Sequence, residues 1–170
     1  LALAGTELPD GAIGRAQLQR ELQALQDFAA PLRHALAEPV LPPHALTLPL
    51  DLDGEAWQLQ AEWADLRASG LLRWRDSPLR PADRLEAWLQ HLALCVAAPP
   101  GVTLHTRWLA ADGEVVFAPC AEAAARLAEL LALYRRGLSE PLHFYPRAAW
   151  QYLEPGLAAA RRGRRARAHN

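Results

Sequence analysis

The spacing of apolar residues predicts helices that alternate with short strands. In residues 13–37, apolar side chains recur every three or four positions, which is typical of an amphipathic helix. Pro31 should kink or break this helix, and the prolines that follow should end it. In residues 45–63, two runs with a period of two flank Asp53 and Gly54, so this part is predicted to be a β-hairpin.

The same analysis applies to the rest of the chain. Residues 70–75 are predicted to form a third strand, and Pro81 suits the first turn of a helix that ends near residue 97. After this helix we expect a second hairpin at 101–117, a helix from 120 to about 134, a short strand at 141–146 and a final helix from 147 onward. This order predicts an α/β fold with a mixed β-sheet flanked by helices. No repeat or linker is visible, so residues 1–170 are predicted to form a single domain.

The composition of the chain limits the classes of protein to which it can belong. The chain has 170 residues, 51% of them hydrophobic, which is enough to bury a core without disulfides or a structural metal. Its two cysteines, Cys95 and Cys120, do not have Cys-x-x-Cys spacing. No apolar run reaches about 18 residues and no secretory signal is recognisable, so we expect a cytoplasmic location and no contact with a membrane. Because Met is missing from the start, we expect a fragment of a longer subunit.

Every basic residue of the chain is arginine. With 18 arginines and no lysine, a phosphate-loop lysine, a Schiff base and a lysine-dependent nuclease site are excluded. Five arginines lie in residues 161–170, which leaves 13 arginines against 19 acidic residues, a net charge of −6, in the first 160 residues. Two interpretations of this tail stay open, a nucleic-acid patch or the basic end of the last helix.

Sequence motifs exclude several classes of enzyme. The chain contains no Gly-x-Gly-x-x-Gly, Gly-x-Ser-x-Gly or His-Glu-x-x-His motif. None of its six histidines is paired at metal-ligand spacing, and His91, beside the apolar stripe of its helix, is predicted to be a packed polar residue. Asp51, Asp53 and Gly54 lack the rest of a calcium loop and are predicted to form a hairpin turn. No catalytic residue and no metal ligand is therefore assigned.

The carboxylates near the third strand suggest a nuclease-like arrangement. A magnesium-dependent nuclease of the PD-(D/E)xK type places an acid on one strand and Asp/Glu-x-Lys on the next. Here Glu62 and Asp65 stand at the first strand, but Arg73 and Arg75 take the places of the second acid and the lysine. An arginine about 4 Å from a divalent ion would repel it by roughly 8 kcal/mol at an effective dielectric constant near 20. The metal site is therefore predicted to be absent.

Four segments occur in the order found in a known family. They are Leu8-Pro9-Asp10-Gly11-Ala12-Ile13-Gly14, Gly70-Leu71-Leu72-Arg73-Trp74-Arg75, Leu85-x-x-Trp88-Leu89-x-His91-Leu92 and Tyr134-Arg135-x-Gly137-Leu138-Ser139-x-Pro141-Leu142. Together they resemble the C-terminal domain of the RecC family, the gamma subunit of exodeoxyribonuclease V, over essentially the whole chain. The resemblance implies a PD-(D/E)xK nuclease-like (restriction-endonuclease-like) fold that lacks the catalytic residues. It also implies a family domain that continues past Asn170.

The resemblance further implies a non-catalytic role in a bacterial helicase–nuclease of double-strand break repair by homologous recombination. The implied partners are RecB-type and RecD-type subunits and, through the complex, duplex DNA ends and single-stranded DNA. No cofactor is expected in this domain, since ATP and Mg²⁺ would belong to the other subunits. Four arginines are candidate nucleic-acid contacts, with Trp74 and Trp108 as stacking partners. These arginines are Arg67, Arg73, Arg75 and Arg107.

Each of these assignments has an alternative. The arginines suit structural ion pairs with Asp76, Glu62 or Asp65 equally well, and we expect Trp74 to pack in the core with Leu72. A pure protein–protein docking domain without DNA contact is a second hypothesis.

The docking hypothesis is supported by the acidic body and by three aromatic residues expected to be exposed, which are Trp57, Trp63 and Trp108. A third and less favoured hypothesis is an active Mg²⁺-dependent nuclease with a migrated carboxylate. Its acid would be Glu62, Asp65 or Asp76.

Overall fold

The structure, a computed structural model, describes residues 11–143 and 145–167, and the surroundings of side chains as far as residue 156. Its elements are α1 (Gly11–Leu36), β1 (His44–Leu52), β2 (Glu55–Trp63), β3 (Leu71–Trp74), α2 (Pro81–Ala97), β4 (Thr106–Ala110), β5 (Gly113–Phe117), α3 (Ala123–Ser139) and α4 (Pro146–Arg167). The predicted α/β class with a mixed sheet is confirmed, and the single domain stays a prediction.

Strands β1 and β2 form a two-stranded antiparallel sheet, as predicted. Asp53 and Gly54 have φ angles of 57° and 82°, which is the left-handed pair that a tight two-residue hairpin requires. The N–H of Gly54 donates to Oδ1 of Asp51 at 2.8 Å and closes this turn. Alternate residues along both strands are partly buried, so one face of the hairpin packs on the helices and the other meets solvent.

The second sheet has the order β3-β4-β5 and is mixed. Helix α2 connects β3 to the parallel strand β4, and a tight hairpin connects β4 to the antiparallel strand β5. In the part of the chain that the structure describes, β2 and β3 are not hydrogen-bonded to each other. The strands therefore divide into two sheets, which their order along the chain does not reveal.

Two clusters of buried residues make the core, and α2 contributes to both. The first consists of Trp63, Leu66, Leu71, Ala93 and Leu94. The second joins Leu92 of α2 to Ala123 and Leu127 of α3, with Leu48 and Leu59 of the hairpin packed against it. Helix α2 therefore lies between the second sheet, the hairpin and α3.

Two predictions about element boundaries are wrong. Helix α1 is not broken at Pro31, which lies on its exposed side, where water can satisfy the carbonyl that proline leaves without a donor; a kink at Pro31 stays a prediction. Residues 141–143 and 145 form no strand, because Pro141 and Pro146 remove two backbone donors and Leu142 packs on Gly137 instead. Helix α3 accordingly extends beyond residue 134 to Ser139.

The basic tail is helical as far as the structure describes it. Helix α4 runs to Arg167 and includes the first seven residues of the segment 161–170. The interpretation of this segment as the basic end of the last helix is confirmed for its backbone. Residues 1–10, Phe144 and 168–170 lie outside the described residues, and with them part of the first segment of the family resemblance.

Candidate functional site

Arg73 lies on β3 beside α2, and three acceptors hold its guanidinium. Nη1 donates to Oδ2 of Asp65 at 2.6 Å and to the carbonyl oxygen of Leu72 at 3.0 Å, and Nε donates to Oε1 of Gln90 at 2.8 Å. The side chain of Arg73 is 24% exposed. The contact with Asp65 is one of the structural ion pairs that we considered as an alternative to DNA contact.

Arg75 points in the same direction and binds the first turn of α2. Its Nη1 donates to Oδ2 of Asp83, and its Nε donates to Oγ of Ser77 at 2.9 Å. Asp83 also accepts from the backbone N–H of Arg80 at 2.8 Å and from its Nη2 at 2.9 Å. The hydrogen bonds from Arg80, together with the hydrogen bond and the positive charge of Arg75, outweigh burial and lower the pKa of Asp83 from 3.8 to about 2.

Sequence reasoning did not single out Asp83. The signal that could have found it is an aspartate three residues after Arg80, the residue that precedes the helix, since a carboxylate at this position binds free backbone donors. The partners proposed for Arg75 were Asp76, Glu62 and Asp65, and none of them binds it. Asp83 reaches Arg75 because the connection between β3 and α2 places the first turn of α2 beside the end of β3.

We expect Asp83→Asn to lower the free energy of unfolding by about 2 kcal/mol at pH 7, since two arginines lose a buried carboxylate. The pKa of Asp83 is lower in the folded chain than its ordinary value, so the carboxylate stabilises the fold above pH 3.8, and this contribution is lost as the pH falls toward 2. In urea unfolding, the difference in free energy of unfolding between wild type and variant should be smaller at pH 3 than at pH 7. Asp76→Asn, at an exposed carboxylate of the same loop, is the control; an equal loss in both variants would contradict the prediction.

Arg67 is buried and binds main-chain oxygens. It is 6% exposed, its Nε donates to the carbonyl of Glu38 at 3.2 Å, and its Nη1 donates to the carbonyl of Asp65 at 3.0 Å. It therefore joins the segment after α1 to the segment that follows β2.

Arg107 and Trp74 lie on the opposite face of the second sheet from Arg73. Trp74 pairs with Leu109 and Leu72 with Arg107, so these four side chains project from one face. Arg107 is 36% exposed and its Nε donates to Oε1 of Glu114 at 2.6 Å. Trp74 is 46% exposed, so the expected packing of Trp74 in the core is wrong. It is the last residue of β3, whereas Leu72 and Leu109 on the same face are buried.

Two other expectations about tryptophan are also wrong. Trp63 and Trp108 are only 3% and 7% exposed, because both occupy positions on the inward face of their strands. Trp108 pairs with Arg73 across the sheet and so faces α2, where it is not accessible to a base. Trp57 is partly buried.

His91 is a packed polar residue, as predicted. It is fully buried, its Nδ1 lies 3.1 Å from Oγ1 of Thr106, and its Nε2 lies 2.9 Å from the carbonyl oxygen of Ala118. Because a carbonyl only accepts, Nε2 carries the proton and Nδ1 accepts from the Thr106 hydroxyl. The ring stacks on Trp88 and Phe117 at centroid distances of 5.6 and 5.5 Å. Burial lowers the pKa of His91.

An open apolar groove of about 660 Å³ lies between β2, α2 and α3. Its walls are mainly leucines, and Glu62, Arg73 and Gln90 stand among them as polar groups. Among residues 11–143 and 145–167, no cluster of three or more His, Cys, Asp and Glu side chains could hold a metal ion. None of the helices described could cross a membrane.

Comparisons with known proteins agree on one family. A family model described as the RecC C-terminal domain matches residues 1–156. The chain is 31% identical over 153 residues to the RecBCD enzyme subunit RecC of Escherichia coli (strain K12), covering 89% of this chain and 13% of that protein. It is 27% identical over 93 residues to the RecBCD enzyme subunit RecC of Buchnera aphidicola subsp. Acyrthosiphon pisum (strain APS), covering 55% of this chain and 9% of that protein. The chain thus spans a small part of the length of these relatives.

Proposed function

The chain belongs to the RecC C-terminal domain family, and from this membership we propose that it is the non-catalytic, nuclease-like domain of the gamma subunit of exodeoxyribonuclease V. In this role it serves the assembly of the gamma subunit with RecB-type and RecD-type subunits. It also takes part in the handling of DNA ends and in strand separation during double-strand break repair by homologous recombination. The family match over residues 1–156 is the observation that carries the proposal.

The pairing of Arg73 with Asp65 supports the non-catalytic part of the proposal. In a restriction-endonuclease-like arrangement, Asp65 would supply the carboxylate of one strand and residue 73 that of the next. Here the guanidinium of Arg73 lies 2.6 Å from Asp65 and takes the place of the cation that such a carboxylate would otherwise bind. We therefore propose that Mg²⁺ and ATP are bound by other subunits of the complex.

Of the four arginines predicted to contact nucleic acid, Arg107 has the surroundings that suit such a contact best. It is half-exposed, its salt bridge is with an equally exposed glutamate, and it shares a sheet face with the exposed indole of Trp74. An exposed indole can stack on an unpaired base while a guanidinium binds the phosphate. Arg67, Arg73 and Arg75 already have acceptors within the fold, and we propose that they position β3 and its neighbouring segments.

We expect Trp74→Ala combined with Arg107→Ala, in the full-length subunit assembled with its partners, to weaken binding to a blunt duplex end about tenfold. The reason is the loss of one stacking contact and one phosphate contact, and the latter should reduce the slope of log affinity against log salt by about 1. Fluorescence anisotropy with a labelled duplex across a salt series measures both quantities.

The matched control is Arg126→Ala, which removes an exposed arginine that also pairs with glutamates but lies on α3. If the double variant and Arg126→Ala bind the duplex end with equal affinity and slope, this face does not contact DNA. The domain would then be a protein–protein docking domain. The apolar groove is the observation that favours that second function.

A further inference from the structure

The open edge of β2 lies next to the apolar groove. We propose that this edge pairs with an extended segment of another subunit, whose alternate apolar side chains enter the groove. The inference rests on the proposed function, because it names the kind of contact by which the domain joins its complex.

The register of the first sheet leaves a row of main-chain groups on β2 without partners. In a two-residue hairpin the residues that flank the turn are bonded to each other, and bonded and non-bonded pairs then alternate away from it. The N–H and C=O groups of the even-numbered residues of β2 therefore point away from β1. These residues are Ala56, Gln58, Gln60 and Glu62. Across the described residues, β2 pairs with β1 alone, and no other backbone hydrogen bond reaches these four.

Two neighbouring edges are less open than that of β2. On β1 the corresponding outer edge contains Pro49, which pairs with Gln58 and has no N–H to donate. On β3 the carbonyl of Leu72, which points away from β4, accepts the guanidinium of Arg73. The β2 edge is nine residues long and carries no proline.

The inward face of β2 forms one wall of the groove. Leu59, Ala61 and Trp63, the inward side chains of β2, line it together with leucines of α2 and α3. In an added strand, every second side chain would project on this same side and so enter the groove. The main-chain bonds would supply affinity, and the groove would select apolar residues at alternate positions. A two-stranded sheet is also marginally stable alone, so a third strand would stabilise the hairpin.

Charge also indicates what kind of segment binds. Glu62 lines the groove and is exposed, whereas the charge of Arg73, which also lines it, is already paired with Asp65, itself 43% exposed. Apolar walls with a carboxylate at the rim do not suit nucleic acid, whose phosphates would be repelled. They suit a polypeptide strand with apolar residues toward the groove and a basic residue beside Glu62.

Proline substitutions on the two edges test the inference. Gln60→Pro removes one outward N–H of β2 without removing a bond of the β1–β2 ladder. Thr47→Pro removes the corresponding N–H of β1, directly opposite Gln60, and is the matched control. Each is placed in the full-length subunit and titrated against the RecB-type and RecD-type subunits, with assembly followed by sedimentation. We expect Gln60→Pro to weaken assembly at least tenfold and Thr47→Pro to leave it unchanged.

Each outcome decides a different point. If the wild-type subunits assemble and both variants assemble as well as the wild type, the β2 edge does not bind another subunit, while the proposed function stands. If the wild-type subunits do not assemble, the proposed function is wrong and the inference with it. If Gln60→Pro unfolds, amide exchange of the wild-type protein decides. Tenfold slower exchange at Ala56, Gln58, Gln60 and Glu62 in the complex supports the inference, and unchanged exchange overturns it.

Discussion

Gly70→Ala should lower the free energy of unfolding by about 4 kcal/mol, because a β-carbon at this position meets backbone on two sides. It would lie far inside the van der Waals contact distance of the His105 carbonyl oxygen and 2.8 Å from the Thr103 carbonyl oxygen. The His105 oxygen accepts from the N–H of Leu71 at 2.9 Å, so moving it away breaks the first bond between β3 and β4. The φ of +114° adds a backbone strain of about 1–3 kcal/mol.

The control for this prediction is Gly54→Ala in the β1–β2 turn. Gly54 also has a positive φ, +82°, but a β-carbon there would have no atom within 4 Å. This variant carries the strain without the clash and should lose only about 1 kcal/mol. Urea unfolding of the two variants and the wild type measures the difference. Equal losses at the two positions would contradict the role of the His105 carbonyl.

His91→Leu should lower the free energy of unfolding by about 3 kcal/mol at pH 7.5. A leucine of similar size fills the space but leaves the Thr106 hydroxyl and the Ala118 carbonyl without their partner. Each buried group that loses its hydrogen bond costs about 1–3 kcal/mol. Thermal and urea unfolding give the loss, and His34→Leu, at an exposed histidine of α1, should change little.

The same variant should change the dependence of stability on pH. Burial holds the pKa of His91 below 6.5, so below pH 6.5 the unfolded chain binds a proton that the folded chain does not bind. Wild-type stability therefore falls as the pH drops through this range, and a leucine at position 91 removes that contribution. The gap between wild type and His91→Leu should narrow between pH 7.5 and pH 5.5. A gap that stays constant over this interval would mean that His91 takes up a proton in the folded chain.

Periodicity predicted the elements well where the signal was local. The first hairpin was predicted from two period-two runs around Asp53 and Gly54. Helix α2 begins at Pro81, the residue that was predicted to lie in its first turn. The packed role of His91 also followed from its place beside an apolar stripe. The predicted break at Pro31 and the predicted strand at 141–146 were wrong. Solvation of an exposed helix face and the packing of Leu142 on Gly137 are not visible in a local sequence pattern.

The burial of the tryptophans could not be predicted in the same way. Period two places Trp74 and Trp108 on definite faces of their strands, but it does not say which face another element covers. The structure buries Trp108 toward α2 and leaves Trp74 exposed at the end of β3. Which of these indoles is available to a ligand thus depends on where α2 lies.

By itself the sequence determined the α/β class, the order of the main elements and the family, and it singled out Arg73 and Arg75. Only the tertiary structure decided what those arginines bind. Asp65 lies eight residues before Arg73, and Asp83 lies eight residues after Arg75. Asp65 reaches Arg73 because the β2–β3 connection folds beside β3. Asp83 reaches Arg75 because the first turn of α2 lies beside the end of β3. The division of the strands into two sheets was likewise decided in three dimensions, since pairing between distant strands depends on the packing of the helices between them.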